Sequence, residues 1–215
     1  YSLKIAQKLN LSTAEQGKIE LAGLLHDIGM IGVTDKILYK IDKLSQEEYE
    51  EIKKHVNYGV KILEDIKQLK EVVNIIKHHH EHYSGQGYPD GLKGEEIPLG
   101  GRILAVSDVF DAITSKRHYR DKMPIKNALD IIKNGENSHF DKNIVDNFFE
   151  ITLDNITNVF LTEYNFQMKS EDQEVLAKHK LKELYEILSK DESELSEYEK
   201  CLKSMFNHYY DNRQG

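Results

Sequence analysis

Six residues of two chemical types could act together in this chain: His26, Asp27, His55, His79, His80 and Asp108. Imidazole and carboxylate are the ligands suited to divalent iron, manganese or zinc. Cys201 is the only cysteine, so no thiolate cluster competes with them. Adjacent His26 and Asp27 can present both groups to one cavity. Adjacent His79 and His80, if helical, diverge by about 100 degrees and share a cluster only when it lies between their directions. About four to six such ligands suffice for a two-metal centre with open positions, which clamps the attacking and leaving oxygens of a phosphodiester.

Taken singly, each residue has a plainer reading. His55 on an apolar helix face is more often a core histidine with a satisfied hydrogen bond. The run His78-His79-His80 reads equally as a solvated helix end, where cations favour the C-terminal dipole. Asp108 alone could cap a helix or pair with an arginine. Spacing by itself does not choose between these readings and a metal site.

The elements that must position these residues are helices. Of 215 residues, 39% are hydrophobic and 31% charged, the balance of a globular protein, and only three are prolines. Ser12-Thr13-Ala14-Glu15 forms a capping box that predicts a helix through Ile19, Leu21, Ala22 and Leu25 to His26, interrupted after it by Gly29 and Gly32. A second box, Ser45-Gln46-Glu47-Glu48, opens a helix carrying Tyr49, Ile52, His55 and Val56, and further on Val60 and Leu63. Leu69, Val72, Val73 and Ile76 predict a helix running into His78-His79-His80-Glu81-His82. Tyr83 to Gly101, with six glycines and two prolines, reads as a loop of functional length.

Ile103 to Thr114 reads as a helix with Asp108 and Asp111 on one face. Pro124 opens another that ends near Asn134-Gly135, and Asp141 caps the next, with Ile144, Val145, Phe148 and Phe149. From about Thr152 the chain turns rich in Glu and Lys, and two helices are expected there, roughly 172–189 and 194–210. Their apolar stripes (Leu181, Leu184, Tyr185, Leu188; Tyr198, Leu202, Phe206, Tyr209) read as core packing. The expected organisation is all-α: a multi-helix domain over residues 1–150 and a C-terminal helical extension over 151–215.

A net charge of -8 argues against a binder of polymeric nucleic acid, which needs clustered cations. An acidic protein can still hold a small anion where metals and a few arginines supply local positive charge. No apolar run reaches the length of a membrane span, so no membrane contact by this segment is expected. With no initiator Met and no signal peptide, the chain reads as a fragment of a longer protein with an upstream sensor or anchor. A lone cysteine fits a reducing cytoplasm.

The order of signatures carries a resemblance. His26-Asp27-Ile28-Gly29, then Ile31-Gly32-Val33 and Asp35-Lys36-Ile37-Leu38, resembles the HD signature of the HD-GYP family. His79-His80-Glu81, Gly85, Gly87-Tyr88-Pro89 and Gly91-Leu92-Lys93-Gly94 resemble its second signature. Ile97-Pro98-Leu99, Arg102-Ile103, Asp108 through Ser115, Arg117, Tyr119-Arg120, Gly135 and Phe140-Asp141 continue it in order over roughly residues 1 to 150.

The resemblance implies an HD-superfamily phosphodiesterase with two divalent metal ions, iron or manganese, acting on cyclic di-GMP to give linear dinucleotide or GMP. His26 and Asp27 would be its catalytic pair. Asp27 would bridge the metals, with His26 and Asp108 on one side and His55, His79 and His80 on the other. Arg117 and Arg120 would face the substrate phosphates, as fork-shaped guanidinium donors can. Gly87, Tyr88 and Pro89 would form a pocket wall, Tyr88 lying beside a guanine, and Glu81 would orient a neighbouring histidine. A homodimer contact through the extension is a further expectation.

Three departures stand out. Met30 replaces the family's lysine, Ser84 an aspartate, and Tyr1 a histidine ligand. They thin the shell of the first metal and put a third in question, while the set around the second stays intact. Two alternatives follow: a weakened or inactive module that binds a cyclic dinucleotide or a signalling protein, and a phosphohydrolase for another cyclic dinucleotide or a nucleotide monoester.

Overall fold

Capping residues set the helix starts. In this computed structural model, which describes residues 1–40, 42–115, 122–162 and 167–211, the elements are helices and turns; no strand occurs among the described residues. The first are α1 (Ser2–Lys8) and α2 (Thr13–Leu25), which pack together. Ser12 Oγ accepts the Glu15 amide at 3.3 Å, and the Glu15 carboxylate accepts the Ser12 amide at 2.9 Å. After a 3-10 turn, Ile28–Gly32, come α3 (Asp35–Leu38), α4 (Gln46–Lys53), α5 (His55–Leu63) and α6 (Lys70–Lys77). The Ser45 box opens α4 with the same reciprocal bonds, at 3.3 and 2.7 Å.

The helix expected from Ser45 to Leu63 is split at Lys54. There the His55 ring takes the Ile52 carbonyl at 2.7 Å, a side-chain bond that competes with continuation of the backbone ladder. Helix α6 likewise ends at Lys77, so the histidines after it sit on a turn rather than on the helix. The loop that follows gives way to α7 (Leu99–Thr114) two residues before Gly101, and α8 (Ile125–Asn134) and α9 (Lys142–Phe149) come next. Asp141 caps α9 through the Asn143 amide at 2.8 Å and binds Arg102 of α7 at 2.7 Å.

Beyond residue 152 the structure holds α10 (Leu153–Thr162), α11 (Ser170–Leu176), α12 (Leu181–Leu188) and α13 (Glu197–Asp211). The helix expected over 172–189 is two, because the Leu153 amide binds the His179 carbonyl and the Leu181 amide binds the Ile151 carbonyl, drawing the chain straight between them. Helix α10 went unread although Leu153, Ile156 and Phe160 have helical spacing.

These later helices share the core with the earlier ones. The Phe110 ring on α7 lies 4.9 Å from Phe148 and 6.5 Å from Phe160, and Phe160 lies 5.4 Å from Tyr210 of α13. Burying each such ring stabilises by about 1.5–3 kcal/mol, and the cluster fixes the helix that carries Asp108. No helix among the described residues is long and apolar enough to cross a membrane.

Candidate metal centre

One local device orients three of the histidines. Each follows within two residues of the last residue of a helix (α2, α4 or α6), where the final backbone carbonyls lack amide partners. Each Nδ1 bonds the carbonyl three residues back: His26 to Gly23 at 2.8 Å, His55 to Ile52 at 2.7 Å, His79 to Ile76 at 2.6 Å. A carbonyl can only accept, so Nδ1 carries the proton and the neutral ring keeps its lone pair on Nε2.

The Nε2 atoms of His55 and His79 are buried without a hydrogen-bond partner. An orphaned buried acceptor costs about 1–3 kcal/mol, and a divalent cation is a group that would satisfy both. Ligand atoms of His55, His79 and His80 lie within 4.8 Å of one another, so the rings need only close in slightly to share one ion. Because His79 and His80 are on a turn, their rings sit 3.9 Å apart at a tilt of 40° instead of diverging as on a helix.

Asp27 stands between two groups of ligands. Its Oδ1 is 3.6 Å from His55 Nε2 and its Oδ2 is 3.4 Å from His26 Nε2, which is itself 3.6 Å from Asp108 Oδ1. These gaps exceed ordinary hydrogen-bond lengths and suit donors that share an ion. The six residues singled out by type are therefore brought together. The 3-10 turn allows the approach: a Cβ on Gly29 would lie 1.8 Å from the His55 carbonyl oxygen, so only glycine lets α5 come this close.

Electrostatics favours the ligating protonation states of most of the set. Burial chiefly, with the neighbouring His26 and His55, pushes His79 down to about 4, and burial with the nearby His79 lowers His80 further. Burial is the largest single influence and works against ionisation of Asp27 and Asp108, but the attraction of His26 together with the neighbouring histidines outweighs it and holds both below the usual carboxylate range. For His26, burial opposes charge, yet Asp108 and then Asp27 prevail and raise it to about 10. A cation between these carboxylates would take over the role of that proton.

The loop after the histidines builds one wall. Tyr88 stacks on His80 with ring centres 4.9 Å apart at 26°. A Cβ on Gly87 would fall 2.2 Å from the His82 amide nitrogen, so glycine is required beside Tyr88. Pro89 follows within the same turn. Glu81 does not orient a histidine as expected. Its buried Oε1 accepts the amides of Asp90 at 2.7 Å and Gly91 at 3.0 Å, because the loop folds back over it. His78, which the ligand set left aside, reaches Asp90 Oδ2 at 3.1 Å, and Lys77 binds the same oxygen at 2.6 Å.

Arg117 and Arg120 lie outside the described residues. Tyr1 turns its ring edge-on to Phe110 at 5.1 Å and also borders a cavity of about 290 Å³ with His26, Asp27, Asp108 and Asp111. Two neighbours of the wall escaped the sequence reading: Lys53 Nζ stands 5.0 Å from the Tyr49 ring centre and 5.3 Å from that of Tyr88. Their spacing of four on a capped helix was the available signal.

The profile of the HD domain matches residues 1–144. A 3'3'-cGAMP-specific phosphodiesterase of Vibrio cholerae is 36% identical over 152 residues, 70% of this chain and 29% of that protein. A cyclic di-GMP phosphodiesterase of Thermotoga maritima is 37% identical over 162 residues, 74% of this chain and 44% of that protein. The chain thus spans less than half the length of these relatives. The crystal structure of a cyclic GMP-AMP specific phosphodiesterase of V. cholerae superposes with a TM-score of 0.55 over 99% of this chain and 53% of that one; at 18% identity the likeness is one of fold. With both signatures gathered at one site, the chain belongs to the HD domain family, in its HD-GYP branch.

Proposed function

We propose that this chain is a metal-dependent phosphodiesterase that opens a cyclic dinucleotide, cyclic di-GMP, to the linear dinucleotide or GMP, using two divalent ions, iron or manganese. The observation that carries the reading is the pair of buried, unpartnered Nε2 atoms on His55 and His79, with Asp27 between them and His26. Such ions, when bound, polarise a phosphoryl oxygen and lower the pKa of water. The chain's own part is to fix each imidazole tautomer through a backbone carbonyl, keep Asp27 and Asp108 ionised, and offer Tyr88 as a wall for a base. Arg117 and Arg120 are assigned to the phosphates on the resemblance alone. Residues 1–150 make up the catalytic unit in this reading, and residues 151–215 are an extension that completes its core.

A second reading, a module that binds a cyclic dinucleotide without turnover, draws on Met30, which leaves out a cation, and on Tyr1, whose ring packs on Phe110 and Phe160. The test is anaerobic reconstitution with Fe(II) or Mn(II), addition of cyclic di-GMP or 3'3'-cGAMP, and chromatography of the products, with His79→Ala as control. Linear dinucleotide or GMP that vanishes in the variant supports the enzyme, and the preferred substrate identifies the base specificity. No turnover at full metal loading transfers the assignment to the binding module.

A further inference from the structure

Resting on the reading just given, we infer that Tyr49, Lys53 and Tyr88 form a cationic clamp at the edge of the centre that holds the second, unreacted phosphate of a cyclic dinucleotide. Such a ligand carries two phosphodiester anions. A metal pair faces one of them, and the other calls for a positive charge set apart from the metals. Arg117 and Arg120, assigned to phosphates on the resemblance, lie outside the described residues, and the position after Ile28-Gly29 offers none, being Met30.

Lys53 stands in a position to supply it. Its ammonium lies 5.3 Å from the Tyr88 ring centre, and Tyr88 in turn stacks on His80, so one aromatic ring separates the cation from the histidine cluster. Tyr49, one helical turn earlier, approaches the same ammonium at 5.0 Å. Aromatic faces attract a cation without neutralising it, so the charge is held in place and stays available. The site is also tied to the metal centre through the backbone, since Lys53 ends the helix whose Ile52 carbonyl orients His55.

The counter-charge on Lys53 is Glu50, at 2.7 Å on a carboxylate half exposed to solvent; Gln46 donates to the same oxygen at 3.0 Å. An exposed pair of this kind is weak, and a phosphate can displace it. Lys77, by contrast, shares Asp90 with His78, and Arg102 is paired with the buried Asp141.

The experiment compares two substrates of the Mn(II)-loaded chain: cyclic di-GMP, and bis(p-nitrophenyl) phosphate, which has one phosphodiester and no second phosphate. Lys53→Met is expected to lower the ratio of kcat/KM for the first over the second by roughly tenfold or more, mainly through KM, the size of one lost charge-assisted contact. Lys53→Arg restores the ratio, and Glu50→Gln raises it. An equal fall on both substrates, or no fall, overturns the clamp. Calorimetric titration with cyclic di-GMP separates this from the proposed activity. A chain inactive on both substrates refutes the enzyme, yet tenfold weaker binding by Lys53→Met still supports the clamp, and unaltered affinity refutes it.

Discussion

Metal removal should destabilise the fold by an amount that the buried histidines set. Without an ion, two Nε2 acceptors, on residues 2% and 1% exposed, face the interior unpaired, at about 1–3 kcal/mol each. Binding to the folded state alone adds stability by mass action, about 2.7 kcal/mol when the free ion is at a hundred times its dissociation constant. For a chain of this size each kcal/mol moves the melting temperature by about 2–4 °C, so Mn(II) should raise Tm by roughly 5–10 °C and a chelator should reverse it. His79→Phe keeps a ring of similar volume and removes the lone pair. Its Tm should respond less to Mn(II), since only the His26, Asp27 and Asp108 side keeps its donors, and its bound metal, measured by elemental analysis, should fall. Differential scanning calorimetry of both proteins with and without metal decides the matter. A wild-type Tm that ignores saturating Mn(II), or a variant that responds as strongly, would show that the two Nε2 atoms are not ligands.

Glu81→Ala leaves two loop amides without their carboxylate acceptor and should cost about 3 kcal/mol in urea unfolding; an unchanged midpoint would refute the pinning role. Arg102→Met strands the buried Asp141 and should cost about 3–5 kcal/mol, more than Asp141→Asn, with the order of the two midpoints as the check. Gly29→Ala drives a methyl into the His55 carbonyl, so metal content should drop together with about 1–3 kcal/mol of stability; full metal loading would contradict the close approach. Burial and then His82 hold His139 at about 4, below its ordinary 6.5. The unfolded chain therefore binds this proton first, and the stability contributed by the neutral ring is lost as pH falls from 6.5 toward 4. Tm of the wild type should fall more steeply across that window than Tm of His139→Phe, and parallel curves would exclude the effect.

Residue type singled out His26, Asp27, His55, His79, His80 and Asp108 as candidates but left a plainer reading open for each, and it was the ordered resemblance to the HD-GYP signatures that favoured a shared site. The capping boxes at Ser12 and Ser45, and the cap at Asp141, were also legible, since a cap is a bond between residues two or three apart. Local signals failed where long-range bonds decided. The break at 177–180 depends on Ile151 and Leu153, and Glu81 turns to Asp90 and Gly91 because the loop returns over it. The kink at Lys54 is local in its bond, yet helical periodicity runs through it unbroken. Tertiary structure alone decided that His79 and His80 point into one cluster, that Lys53 reaches Tyr88, and that rings beyond residue 152 fill the core beneath Asp108. Residue type and short-range bonding are properties of neighbours along the chain, whereas convergence on a site depends on which helices bury their apolar faces against each other.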